Sequence, residues 1–280
     1  NSELHFSRMR ITRIFARFLV ESPADTMSFA RYVLLSILGA IVTTTAQHYP
    51  TTVAAGYTAT FLLGSTATNL IFTPANNDSG SLYVTGSRFV GAQSGVTLRS
   101  TYALDERLHW FIPLSVEAIF FRGKQRQENL LYIGRAEVAA NMYTISLGLQ
   151  YRYADLSLAQ AFLYASIEPR LSLVGGPHFL YLVSDKESGQ VIADYSIDTT
   201  LKQSVLRGGG ALRLGAQGIL DEKVMINVSL AWGAFNIVGR DMRTTDRNRR
   251  AGLLTPTTIF QTNEPLEQFL QVSLWIQYPF

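Results

Sequence analysis

LQVSLWIQYPF, residues 270–280, alternates without a break. Leu270, Val272, Leu274, Ile276, Tyr278 and Phe280 fall on one face; Gln271, Ser273, Trp275, Gln277 and Pro279 fall on the other. A period of two is that of a β-strand. The run is about twice the roughly 5–6 residues of an ordinary soluble strand. The last residues of a soluble domain are usually polar and frayed, whereas this strand keeps its apolar face to the final aromatic residue. Such a strand needs an apolar environment on one side and paired neighbours on both edges.

Seven further segments upstream alternate in the same way. The first, 53–63, sets Val53, Ala55, Tyr57, Ala59, Phe61 and Leu63 against Gly56, Thr58 and Thr60. The second, near 91–104, sets Val96, Leu98, Tyr102 and Leu104 against Gln93, Gly95, Thr97, Arg99 and Thr101. The third, near 108–121, puts Trp110, Ile112, Leu114, Val116, Ala118 and Phe120 opposite Pro113, Ser115 and Glu117. The others lie near 138–153, 160–174, 207–219 and 224–237. Short connections follow the second, fourth and sixth strands, at 105–107, 154–157 and 220–223. The remaining connections, near 64–90, 122–137, 175–206 and 238–266, are long, and loops of that length are uncommon in compact domains. Short and long alternate strictly, so each kind falls at one end of the strands.

That pattern predicts an all-β fold: an eight-stranded antiparallel up-and-down transmembrane β-barrel with short turns at one end and long loops at the other. In hydrocarbon every backbone N–H and C=O must be paired, so a sheet crosses only by closing on itself. The last strand is therefore expected to pair with the first. A soluble eight-stranded barrel is the alternative; its apolar face points inward and its outer face carries many charges. Here the polar faces hold Gly, Ser, Thr, Ala and Gln with few charges. Tyr102, Trp110, Tyr151, Tyr153 and Tyr278 gather near the short turns, as in an interfacial girdle.

Composition agrees. Charged residues are 16% against the roughly 25% of soluble domains. The net charge of +3 does not point to nucleic acid. Of the 24 Lys and Arg and 21 Asp and Glu, five Arg and three acids lie in residues 1–46, which leaves 19 against 18. Without cysteine there is no disulfide framework and no thiol nucleophile. MSFARYVLLSILGAIVTTTAQ, residues 27–47, has a basic start, an apolar run and small residues, the layout of a secretory signal peptide cleaved after Ala46. Residues 1–26, with the basic amphipathic MRITRIFARFLV at 9–20, are expected to be an untranslated or disordered upstream extension, with Met27 as the start. The barrel then occupies residues 47–280.

The chain from about residue 50 onward resembles small bacterial outer-membrane barrels of the OmpA/OmpX type and the PorT-like barrels of Bacteroidetes. The likeness rests on the strand pattern, the leader and the terminal WIQYPF. It implies export to the bacterial outer membrane and contact with its lipid and lipopolysaccharide. It also implies an assembly signal, read by the barrel-assembly machinery, at Leu274, Ile276, Tyr278 and Phe280. Pro279 departs mildly from that pattern, but proline at a strand end gives up little pairing.

Inside, the expected charges are Arg99, Glu117, Arg152, Glu168, Arg170 and Arg213. They must be paired or hydrated, because an unpaired buried charge is costly. A salt-bridged plug is expected, with a narrow pore as the alternative. Outside, GRDMRTTDRNRR carries Arg240, Arg243, Arg247, Arg249 and Arg250, and the second long connection carries Arg122, Lys124 and Arg126. Arginine pairs with phosphate through two N–H groups, so these segments suit lipopolysaccharide phosphates or a polyanionic surface, or are simply solvated. His178, in VGGPHFLY near the outer rim with Ser172 and Ser184 nearby in sequence, is the one candidate for a lipid A-modifying site. No spacing fixes a triad, and no metal ligand cluster, cofactor motif or nucleic-acid site is expected. Gly208, Gly209 and Gly210 are expected to make room at a bend. The leading reading is a monomeric structural or surface-interaction protein without catalytic activity.

Overall fold

In a computed structural model the described residues are 51–64, 71–74, 82–85, 89–128, 130–157, 160–197, 203–221, 224–243, 252–255 and 263–279. The leader and upstream segment, Phe280, and Arg247, Arg249 and Arg250 lie outside them. Among the described residues thirteen strands follow in order: β1 (Thr51–Leu63), β2 (Ile71–Pro74), β3 (Leu82–Thr85), β4 (Gln93–Ala103), β5 (Trp110–Glu128), β6 (Tyr132–Leu147), β7 (Leu149–Leu156), β8 (Ala161–Val174), β9 (His178–Asp185), β10 (Val191–Ile197), β11 (Val205–Asp221), β12 (Val224–Val238) and β13 (Gln268–Pro279).

The ring runs β1–β4–β5–β6/β7–β8–β11–β12–β13 and back to β1, every pair antiparallel. Closure is by the pairing read from the last strand, from Thr52 opposite Pro279 to Leu63 opposite Gln268. The fourth ring strand is broken in two at Gly148, whose N–H donates to Pro113 O at 2.9 Å. The glycine run in β11 coincides with a register shift between Gly208 and Gly210. A Cβ on Gly209 would stand 2.2 Å from Ala234 O, so a larger residue does not fit that bulge.

Polarity is inverted relative to a soluble barrel. Along β13, Gln271, Ser273, Trp275 and Gln277 are buried, while Val272, Leu274, Ile276 and Tyr278 are exposed. Leu98, Ile167, Leu171, Leu212, Leu214, Val228 and Leu230 continue that exposed apolar belt around the ring. On β5 the belt runs from Trp110 to Phe120, ten residue steps, which at a rise of about 3.3 Å and a tilt near 40° is roughly 25 Å tall. That is the height of the apolar band of a membrane-spanning barrel. Trp110 and Tyr151 pack at 4.6 Å between ring centroids at its lower edge, beside the turn in which the Asp105 carboxylate accepts the His109 and Trp110 N–H groups.

Two of the long connections are not loops where the sequence pattern placed them. β5 and β6 pair without interruption from Leu114 opposite Leu147 to Glu128 opposite Ile133, so residues 122–137 form a hairpin standing above the belt. Within 175–206, β9 continues upward along β6 and β10 folds back on β9. On β5 the alternation persists with Arg122, Lys124, Arg126 and Glu128 outside, so there the end of apolar alternation marks the edge of the belt rather than the end of the strand. β2 and β3 form a separate hairpin within the first long connection.

Candidate functional site

The barrel interior gathers most of the expected charges. Glu168 is the hub. Its carboxylate accepts Arg99 Nη1 at 2.8 Å, Ser166 Oγ at 2.9 Å, and Arg213 through Nε and Nη2 at 3.1–3.2 Å. Arg213 also donates to Ser229 Oγ and Ser273 Oγ. Arg170 lies 3.5 Å from Glu117 and 3.8 Å from Glu168, and donates to Gln271 Oε1 at 3.1 Å. Gln271 Nε2 donates in turn to Glu117 and Thr60, and Arg99 Nη2 reaches Gln150. Through Thr60, Arg99, Glu117, Gln150, Glu168, Arg213, Ser229 and Gln271, the network ties together all eight ring strands.

Arg152 is not part of it. Near the short-turn end, its guanidinium pairs with Asp155 and stacks over Phe162 at 4.3 Å. The strand descends past the charged layer at Gln150 before it reaches Arg152, so correct parity was not enough to bring it there. Gln271, Gln150, Trp275 and Tyr164 were not singled out from sequence. Their signal was inward parity at the height of the charges, and neutral side chains gave no reason to weigh it. Arg99 and Arg213 each lie 4.9 Å from the Trp275 ring. Below them Tyr164 crosses the interior and donates to Asn227 at 2.8 Å, over Gly215, where a Cβ would stand 2.4 Å from its ring.

Above the charges the interior turns apolar, contrary to the Gly/Ser/Thr/Gln filling expected from the alternation. Phe89, Phe121, Phe235 and Phe269 form a run of ring contacts, ending with Arg170 over Phe269 at 4.9 Å. Ile119, Val138, Met142, Val174 and Phe179 join them. From the last long connection, Leu253 and Leu254 are buried in the same cluster. That connection is fastened at its base by Glu264, which takes Arg207 in a fork, Asn236 at 2.6 Å and the Asp241 N–H. The barrel mouth is thus filled by side chains from both wall and connection.

At the outer rim, Arg243 pairs with Asp241, which raises its pKa, and Arg240 is half-buried. Arg122, Lys124 and Arg126 stand on β5, pointing outward above the belt. His178 opens β9 opposite Ala139. Ser172 is buried inward against Thr144, and Ser184 lies six residues along the same strand, roughly 20 Å away. These three side chains therefore do not come together. Among the described residues no group of three His, Cys, Asp or Glu is arranged to hold a metal.

The fold defines the chain as an inside-out, eight-stranded barrel of the membrane-spanning kind. No protein-family model matches the chain. No curated protein sequence matches it either. Its structure is similar to that of Ail, the attachment invasion locus protein of Yersinia pestis (13% identity, 84% of this chain and 100% of that one, TM-score 0.33). It is also similar to neisserial surface protein A (9%, 84% and 98%, 0.37) and to the translocator domain of the autotransporter NalP from Neisseria meningitidis (8%, 91% and 97%, 0.32). At such identity and overlap, function has to be read from this chain's own side chains.

Proposed function

We propose that the chain is a monomeric, non-conducting protein of the bacterial outer membrane. On this reading it has no catalytic role and presents a rigid surface for interaction through the sheet and connections above its barrel. The observation that carries this is the filled interior: an ion-paired layer tied to all eight ring strands, with an aromatic plug above it. An eight-stranded barrel has an interior just wide enough for side chains to fill, and the described residues fill it. Export through a leader cleaved near Ala46, and assembly through Leu274, Ile276, Tyr278 and Phe280 by the barrel-assembly machinery, belong to the same reading. So does contact with lipopolysaccharide in the outer leaflet. The test combines outer-membrane fractionation with planar-bilayer recording. Recovery in the outer membrane with no conductance step above baseline is expected. Steady single-channel steps from pure protein would restore the narrow pore, and recovery in the soluble fraction would end the account.

A further inference from the structure

The hairpin of β5 and β6 carries its charges in an arrangement that the fold alone does not explain. On the outward face, Arg122 is the first position above Phe120, where the apolar belt ends, and Lys124 and Arg126 follow at every second residue. Arg126 stands directly opposite Arg135 in the strand register. Like charges at opposed positions of an antiparallel pair are destabilising. The hairpin face holds four cations, Arg122, Lys124, Arg126 and Arg135, against two carboxylates, Glu137 and Glu128. Glu137 is paired with Lys124, while Glu128 is divided between Arg126 and Lys186. The nearest acid along the row of Arg135 is Asp194, two strands away beyond Leu182. Arg122 is held in place: its Nη1 donates to Phe121 O at 2.7 Å, Ala140 O at 3.3 Å and Asn141 Oδ1 at 3.1 Å.

We propose that this outward face, Arg122, Lys124, Arg126 and Arg135, binds the phosphate groups of a phosphorylated glycolipid in the leaflet surrounding the barrel mouth. The inference rests on the reading of the chain as a membrane-embedded barrel and gives that surface a ligand and an address. Position selects the lipid. Successive outward residues rise by roughly 5 Å along the barrel axis, so Arg122 lies at headgroup level and the others climb from it. Arginine and lysine side chains reach back toward the interface along their own apolar stems. A headgroup with phosphates on a sugar spans such a ladder, and its charge relieves the opposed Arg126 and Arg135. Juxtamembrane cations of this kind draw anionic headgroups with about 1 kcal/mol each.

The test uses the full chain, folded in detergent micelles, with bisphosphorylated lipid A and its dephosphorylated form as probes. Bound lipid per protein is counted by native mass spectrometry. Wild type is expected to retain the phosphorylated probe and not the other. A double R126Q/R135Q variant should retain it roughly thirtyfold less, while R107Q, exposed in the short turn between β4 and β5 at the opposite end of the barrel, should not differ from wild type. Equal retention of both probes, or unchanged retention by the double variant, would overturn the proposal. So would displacement by millimolar inorganic pyrophosphate as readily as by the lipid, which would make the face a site for soluble anions. An unheated gel shift, run on each sample, separates the two levels. Folded protein without lipid preference sinks this inference alone, whereas failure to enter micelles as a folded barrel sinks the membrane reading beneath it.

Discussion

At the scale of single residues, Glu168 carries the interior. Three buried guanidinium groups, Arg99, Arg170 and Arg213, converge on it, and Glu117 is the other buried acid of the network. Glu168→Gln leaves those cations with one carboxylate and is expected to destabilise the folded barrel by about 3–5 kcal/mol, read as a lower urea midpoint for refolded protein in micelles. Packing below the network makes a second demand. Gly215→Val puts branched carbons where the Tyr164 ring lies, and Gly215→Val combined with Tyr164→Ala should recover part of the loss in the same unfolding measurement. An additive outcome would show that the ring and the glycine do not share that space. The inward charges were legible because parity alone assigns a side to each residue of a strand. Their partners were not, because which Arg meets which Glu depends on strand stagger around the ring, and Arg152 shows how the right parity at the wrong height misleads.

At the scale of elements, the ends of strands were the part hardest to read. Apolar alternation stops at Phe120 on β5, yet the ladder to β6 continues for eight more residues on the same register. Hydrogen bonding needs no apolar face, so a strand leaving a membrane changes its side chains without changing its backbone. The tip of this hairpin is joined to β9 by Lys186 and Glu128, and Lys186 holds the Glu128 carboxyl below its ordinary range. A depressed carboxylate contributes above its unfolded pKa and loses that contribution as pH falls through the lowered value. Amide exchange at residues 131–132 should therefore quicken only at acid pH, below the usual carboxylate range. Early quickening near neutrality would mean the pair does not hold the tip. On β13 the prediction is different in kind: Leu274→Arg puts a charge on the lipid face and should cost about 2–4 kcal/mol in a bilayer if it lies near the midplane. Reversible unfolding in liposomes measures it, and a neutral effect would place Leu274 in water.

At the scale of the whole molecule, apolar side chains face outward all round a closed ring while the opposite parity packs its inside. Closure was legible in residues 270–280, since a strand with one complete apolar face toward lipid has to pair at both edges, and β1 supplies the second. The apolar plug was not legible, because Phe121, Phe235 and Phe269 interrupt the polar face only at the outer ends of their strands, and Leu253 and Leu254 arrive from a connection. The natural absence of cysteine allows single cysteines to be placed at will. Spin labels at residues 271–277, one at a time in reconstituted protein, test the arrangement most directly through their accessibility to oxygen and to a polar nickel reagent. Labels at 272, 274 and 276 should collide with oxygen dissolved in lipid, and those at 271, 273, 275 and 277 should be shielded from both. Polar-reagent access to the outward set, or to the inward set along its whole length, would contradict the account.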